Sequence, residues 1–234
     1  FVMTGGTKPL LIRAVGPTLG DFGVGDAMPD PRIGFNNPSG IEIAANDDWA
    51  ASLTSTFSEL GAFALVDGSK DAALRVNLSG LGTVSVNGPT GGTVLVELYD
   101  IGDNNDTRLA NVSARNFVGT GDDILIAGFV VTGADSKNML IRAVGPGLEP
   151  YLGSGFLGDP LLKIFDAENN IVATNDNWSS SLQTSFDLTG AFSISNLSLD
   201  AAIVLTLPPG RYTAQVSGAD GGTGQAIVEI YELP

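Results

Sequence analysis

The side chains that could do chemistry in this chain are mostly carboxylates. Asn46-Asp47-Asp48 and Asn175-Asp176-Asn177 place hard oxygens in short turns, and Asp71 and Asp200 recur further along each half. Oxygen donors of this kind suit Ca²⁺, with Asp71 joining Asp47 and Asp48, and Asp200 joining Asp176, from a later strand. A second cluster, Asp100-Ile-Gly-Asp103-Asn-Asn-Asp106, lies where the two halves meet, and an ion held by Asp100, Asp103 and Asp106 would stiffen that joint. The competing reading makes the turns Asx turns, with Asp47 or Asp48 capping a following helix, and makes the joint a solvated acidic loop. EF-hand spacing is absent.

Arg13 and Arg142 stand inside apolar runs. They could take an anionic ligand, or each could pair with a carboxylate of its own domain, Asp30 or Asp71 and Asp159 or Asp200. The second is the expectation, because an unpaired buried charge is costly. Catalytic alternatives are poorly supplied. The chain has no Cys and no His, which removes disulfides, zinc and haem ligation, thiolates and every His-based mechanism. Asp47 and Asp48 are turn residues, and the second copy keeps only one of the pair, so nothing resembles a glycosidase acid–base couple. Ser and Thr have no neighbouring base. No enzyme activity is expected, and no cofactor beyond Ca²⁺. Trp49 and Trp178 could stack on a sugar, but their spacing with Leu and Phe places them on a core-facing helical stripe.

Charge narrows the partners. Eleven basic residues against 26 acidic ones give a net charge of −15, which argues against nucleic acid and anionic lipid. No apolar run reaches the roughly 18 residues needed to span a bilayer, so membrane insertion is not expected. The chain opens on Phe1, inside what reads as a strand, and so reads as a processed product or a fragment.

The elements that must position these residues occur twice. Leu11-Ile-Arg-Ala-Val-Gly-Pro17 returns as Leu140-Ile-Arg-Ala-Val-Gly-Pro146, Asn46-Asp-Asp-Trp49 as Asn175-Asp-Asn-Trp178, Gly61-Ala-Phe63 as Gly190-Ala-Phe192, and Asp71-Ala-Ala73 as Asp200-Ala-Ala202. The offset is constant and domain-sized, and slips only near Val96-Glu-Leu-Tyr99 and Val228-Glu-Ile-Tyr231. In the second copy, strand-like runs cover Leu109–Val118, Asp123–Gly133, Asn138–Val144, Leu161–Asp166, Asn170–Thr174, Ala201–Leu207, Arg211–Ser217 and Gln225–Leu233. Gly, Asn, Asp and Pro separate them, which reads as an all-β sandwich or jelly roll. Leu125–Val131 is apolar throughout and reads as a central strand covered on both faces, with Gly119–Asp123 as a hairpin turn before it. Trp49, Leu53, Phe57 and Leu60 share one helical face, as do Trp178, Leu182 and Phe186. The fold class is therefore two tandem β-sandwich or jelly-roll-like domains, each with one short helix: residues 1–100, an acidic linker 101–108, and residues 109–234.

The copies are unequal. Phe1-Val-Met-Thr-Gly5 aligns with Phe129-Val-Val-Thr-Gly133, and copy one has no equivalent of Leu109–Gly128. The first sandwich is thus expected to lack a strand and most of another: either the chain was cut from a longer array, or another chain donates the missing strands, with Phe1, Val2, Met3 and Thr4 pairing with it by strand addition or head-to-tail contact.

The strings Arg-Ala-Val-Gly-Pro, Asn-Asp-Asp-Trp, Pro209-Gly-Arg-Tyr-Thr-Ala-Gln-Val-Ser-Gly218 and Val228-Glu-Ile-Tyr231 resemble a tandem module of large secreted and surface proteins of environmental bacteria. The second half also resembles the bacterial pre-peptidase C-terminal domain, through Leu162–Asp166, Asn175–Asn177, Pro209–Tyr212 and Gly218–Gly224. Both resemblances imply secretion or a cell-surface location and a non-catalytic role. The expected function is a structural repeat of a surface filament or fibrous matrix, a homopolymer of its own copies. The alternative is a carbohydrate-binding or adhesion module of a larger secreted protein.

Overall fold

Strands form where β-branched and aromatic residues run between Gly, Pro, Asn and Asp, and the computed structural model places fourteen of them among residues 1–102 and 107–234, which it describes. They are β1 (Val2–Val15), β2 (Arg32–Asn36), β3 (Glu42–Asn46), β4 (Ala72–Leu81), β5 (Thr83–Asn87), β6 (Leu95–Asp100), β7 (Arg108–Val118), β8 (Leu125–Val131), β9 (Lys137–Val144), β10 (Pro160–Phe165), β11 (Ile171–Asn175), β12 (Ala201–Leu207), β13 (Gly210–Gly218) and β14 (Gly224–Glu232). Helices are few and short: α1 (Thr54–Leu60), α2 (Glu149–Leu152) and α3 (Gln183–Thr189), each preceded by a 3-10 turn, with a separate 3-10 stretch at Pro17–Phe22. The chain is all-β. It divides into two units, Phe1–Ala110 and Asn111–Pro234, and β7 begins inside the segment read as a linker.

Unit 2 is a sandwich of two four-stranded layers. One runs β12-β9-β14-β7 and the other β11-β10-β13-β8, with every described ladder antiparallel. Only β10 and β11 are consecutive strands paired in one layer; the other connections cross between layers, which is the jelly-roll connectivity. Val118, Leu125, Ile141, Leu162, Ile164, Ala214, Val216, Val228 and Ile230 fill the space between the layers. The turn at Gly119–Asp123, closed by the Gly119 N–H donating to the Asp123 carbonyl at 2.6 Å, therefore crosses between layers rather than forming a hairpin. Nor is β8 central. It is the edge of its layer, and its side chains alternate, with Ile126 and Val130 turned to solvent. An unbroken apolar run cannot by itself distinguish an edge strand with apolar outward residues from a strand covered twice.

Unit 1 repeats the plan with fewer strands. Its layers are β4-β1-β6 and β3-β2-β5. Matching the ladders gives β1 the place of β9, β2 and β3 those of β10 and β11, β4 that of β12, β5 that of β13 and β6 that of β14. Among the described residues no strand of unit 1 takes the place of β7, and only Phe1–Met3 take that of β8.

Each unit has one of these helices on the outer face of a layer: α1 packs with Leu11, Val15 and Ala73 of β1 and β4, and α3 with Leu140, Val144 and Ala202 of β9 and β12, on the side opposite the space between the layers. Phe57 and Phe186 point into the core, and Trp49 and Trp178 pack on them at 5.6 and 5.1 Å between ring centroids. Each helix stops at a glycine in the left-handed region, Gly61 and Gly190, both with φ 69°. Asp47 and Asp48 do not cap α1. The helical stretch starts with a 3-10 turn at Ala51–Leu53 whose N-terminal neighbour, Ala50, offers no side-chain bond, and Asp48 instead pairs with Lys70 at 2.8 Å.

Candidate functional site

Arg13 and Arg142 each stand two residues before the end of their strands, β1 and β9, and both are completely buried. Their carboxylate partners are neither Asp30 and Asp71 nor Asp159 and Asp200. Arg13 Nε lies 3.1 Å from Glu97 on β6, and Arg142 Nε lies 3.1 Å from Glu229 on β14. The register explains it: Arg13 sits opposite Glu97, and Arg142 opposite Glu229, on neighbouring strands. Each arginine also donates from Nη1 to a carbonyl, Phe63 or Phe192, at 2.8 Å. Its guanidinium lies between two aromatic rings, 4.6 and 4.5 Å from Phe57 and Phe63 in unit 1, and 4.5 and 4.6 Å from Phe186 and Phe192 in unit 2. Nη2 has no hydrogen-bond partner, so the ring faces supply what the missing acceptor would. The carboxylates accept a further bond from Tyr99 at 2.6 Å and Tyr231 at 2.8 Å. Burial raises the Glu229 carboxyl above its ordinary range against the opposing pull of Arg142 and Tyr231. Burial first, and then the Glu229 charge, push the Tyr231 hydroxyl upward. With every partner inside its own unit, this cluster is a staple between strands and helix, and it leaves no charge for an anionic ligand.

Asp71 and Asp200 are also fully buried, and they do not join the Asn-Asp turns. Asp71 accepts from the Gly16 N–H at 2.8 Å, the Thr18 N–H at 3.3 Å, the Thr18 hydroxyl, and the Ser69 hydroxyl at 2.5 Å. Asp200 accepts from the Gly145 N–H at 2.8 Å and the Gly147 N–H at 3.1 Å. Each carboxylate gathers the Val-Gly-Pro loop over the end of its unit. A side chain at Gly16 would meet the Met28 carbonyl oxygen at 2.1 Å, and one at Gly145 the Leu157 carbonyl oxygen at 2.0 Å, so glycine is required for the loop to close.

The remaining metal candidates are scattered. Asp47 and Asp176 are exposed. Asp48 is held by Lys70, and Asp100 lies 2.7 Å from Lys8. Asp103 and Asp106 lie outside the described residues. Asn46 and Asn175 use their carbonyl oxygens on the N–H groups of Ala73 and Ala202, at 2.8 and 2.9 Å. Among the described residues no three His, Cys, Asp or Glu side chains come together to hold a metal, and no helix is long and apolar enough to cross a membrane.

What distinguishes the units lies on one side of unit 1. Along one edge, Phe1–Met3 are paired within unit 1. Val2 and Met3 pair with Leu81 and Gly80, the Phe1 ring stacks on Phe35 at 6.3 Å, and Phe1 and Met3 are buried. Phe1 and Gly82 exchange both main-chain bonds, at 3.1 and 3.2 Å, just as Phe129 stands opposite Tyr212 in unit 2. Burial holds the Phe1 amino group below its ordinary value of 8.0. Beyond that pair, the outer sides of β5 and β6 face no strand among the described residues. Val96, opposite Ala14, is 40% exposed, whereas Val228, opposite Ala143, is 0% exposed. Val84 and Val86 are half-buried where Ala214 and Val216 are fully buried, and Val94 and Leu98 are half-buried where Ala226 and Ile230 are buried. Burying a valine completely contributes about 1.5–3 kcal/mol, so unit 1 leaves apolar stabilisation unused along this side. The repeated Val-Glu-Leu-Tyr and Val-Glu-Ile-Tyr strings held the arginines' partners all along; what they lacked was the strand register that sets Glu opposite Arg.

No family model matches the chain, and no curated protein matches it. Among solved structures, the pre-peptidase C-terminal domain of a collagenase from Bacillus anthracis is similar over 52% of this chain and 89% of its own, at 17% identity and a TM-score of 0.32. The D431N mutant VP2 protein of infectious bursal disease virus, in T=1 particles, aligns with 99% of this chain and 55% of its own, at 8% identity and a TM-score of 0.22. The class defined by the strands themselves is a β-sandwich protein of jelly-roll connectivity.

Proposed function

We propose that this chain is a non-catalytic structural repeat of a secreted or cell-surface protein, serving as a segment of a filament or fibrous matrix built from its own copies. One observation carries the reading. Among the described residues, every buried ionisable side chain is bonded within its own unit: Lys8 to Asp100, Arg13 to Glu97, Arg142 to Glu229, and Asp71 and Asp200 to their loops. Side chains that elsewhere do chemistry are used here for rigidity, in two copies, which suits a load-bearing module. Light scattering across a concentration series, with negative-stain microscopy, tests it. Concentration-dependent oligomers or fibres are expected. A monomer at every concentration would count against it.

A carbohydrate-binding role is the second reading, and it has its own observation. Phe22 and Tyr151, at matching positions, are exposed aromatics braced edge-on by Phe63 at 5.1 Å and Phe192 at 6.0 Å. Rigid exposed rings are suited to stacking on sugar faces. Glycan-array binding abolished by Phe22→Ala with Tyr151→Ala would favour this reading over the filament.

A further inference from the structure

We propose that the Asp159–Pro160 peptide bond is a self-cleavage site, at which the Asp159 carboxyl attacks its own main-chain carbonyl and splits unit 2 ahead of β10. The inference concerns processing of the chain and stands apart from the filament and carbohydrate readings.

The chain holds two Asp–Pro bonds, Asp30–Pro31 and Asp159–Pro160, one directly ahead of β2 and the other at the first residue of β10. An Asp side chain carries its carboxyl oxygen to where attack on its own carbonyl carbon closes a small ring, and such proximity replaces an external nucleophile. Proline supplies the leaving group, a secondary amine that takes up a proton readily. As the bond from Oδ to the carbonyl carbon forms, the bond from that carbon to the Pro160 nitrogen breaks. Its electron pair stays on the nitrogen, which takes the carboxyl proton and becomes a new amino terminus. Water then opens the cyclic anhydride left on Asp159, restoring the side-chain carboxyl and creating a terminal one.

Three features of unit 2 favour the step. Asp159 Oδ1 is buried and has no hydrogen-bond partner among the described residues, so no bond holds it away from the main chain. The Asp159 carbonyl oxygen accepts from the Ala219 N–H at 2.8 Å, which polarises the carbonyl and stabilises the charge that grows on its oxygen. Burial first, and then the facing charges of Asp176 and Asp220, raise the Asp159 carboxyl above its ordinary value of 3.8. The group therefore keeps the proton it must deliver in less acidic solution.

Unit 1 shares the nucleophile and the leaving group and lacks the rest. Asp30 Oδ1 is likewise buried without a partner. Arg32 stands opposite Asn87 as Leu161 stands opposite Ser217, so Pro89 takes the place of Ala219 and Thr90 that of Asp220. Pro89 has no N–H to give the Asp30 carbonyl. Arg32 and Lys70 stand where unit 2 has Leu161 and Leu199, so cations surround the first bond and acids the second. Cleavage in unit 2 is a nick: β12 and β14 stay paired with β9 and β7, and β13 with β8. It shows only once the chain is denatured.

The experiment incubates the full chain at about pH 5, folded and in urea, and reads both bonds by mass spectrometry after denaturation. In the folded chain Asp159–Pro160 should break at least about tenfold faster than Asp30–Pro31, and in urea the two rates should converge. Hydroxylamine should trap the anhydride as a hydroxamate on Asp159. Ala219→Pro should bring the second bond down to the rate of the first, and Pro89→Ala should speed the first. Asp220→Asn, an exposed change, should move the rate profile toward lower pH. Should Ala219→Pro fail to fold, Pro89→Ala carries the test. Equal rates at the two bonds in the folded chain, faster loss of Asp159–Pro160 in urea than in the fold, or cleavage without a hydroxamate overturns the proposal.

Discussion

Units 1 and 2 share their inner staples and differ in their walls. Arg13 and Arg142 make the same four contacts, to Glu, a Phe carbonyl and two ring faces, with matching distances. Asp71 and Asp200 grip the same glycine loop. Yet Val96 is 40% exposed where Val228 is sealed. Surface pairs have drifted as well: Asp48 and Lys70 form an ion pair in unit 1, and unit 2 carries Asn177 and Leu199 in their places. The lesson is that this fold is specified by a few buried polar clamps and one end of a jelly roll. Among the described residues unit 2 has the β7–β8 wall, and unit 1 has Phe1–Met3 in the place of the end of β8.

The comparison can be broken residue by residue, and each unit carries its own reporter, Trp49 in unit 1 and Trp178 in unit 2. Trp178→Phe and Trp49→Phe backgrounds let chemical denaturation be followed by fluorescence for one unit at a time. The largest contrast is expected for Val228→Asp against Val96→Asp. The first puts an unpaired carboxylate in a sealed core and should cost more than about 4 kcal/mol; the second should cost less than about 1 kcal/mol. Equal costs would mean the wall makes no difference. Next comes Arg142→Met, which strands the Glu229 charge in the core and should remove about 3–5 kcal/mol from unit 2. Arg13→Met should cost less, because the Glu97 side chain keeps 16% exposure against 6% for Glu229. Gly16→Ala and Gly145→Ala should behave alike, at about 1–3 kcal/mol each, since each new methyl would collide with a carbonyl oxygen.

The smallest effect is a pH dependence. Glu229 is raised above its ordinary value of 4.5, chiefly by burial. The folded unit therefore holds a proton there more readily than the unfolded chain. The resulting stability is fully present below about pH 4.5 and is lost as pH rises through the folded value. The unit 2 midpoint of the parent should thus gain on going from pH 7 toward 4.5 relative to that of Glu229→Gln. Parallel curves for the two proteins would contradict the assignment.

Much of this was legible in the sequence because the chain states it twice. The eight strand runs of the second copy, read from apolar segments and turn residues, correspond to β7–β14 with ends shifted by a few residues at most. The helical face through Phe57 and Phe186 was legible from its spacing. The partners of Arg13 and Arg142 were not, because pairing across strands depends on register, and Glu97 and Glu229 lie on strands far along the chain. Asp71 and Asp200 read as ligands because their residue type is shared by metal sites and loop clamps, and only burial separates the two. The edge position of β8 was hidden by Ile126 and Val130, apolar residues that face outward. For Phe1–Met3, the alignment with Phe129–Val131 gave the right place in the fold, and one edge of that segment is paired within unit 1.

The unequal walls have a direct measurement in amide hydrogen exchange on the isolated chain, comparing Val84 and Val86 with Ala214 and Val216. Rapid exchange at the first pair and strong protection at the second are expected, since only β13 has β8 beside it. Equal protection at all four would show that the side of unit 1 along β5 is closed, and would contradict the unequal walls.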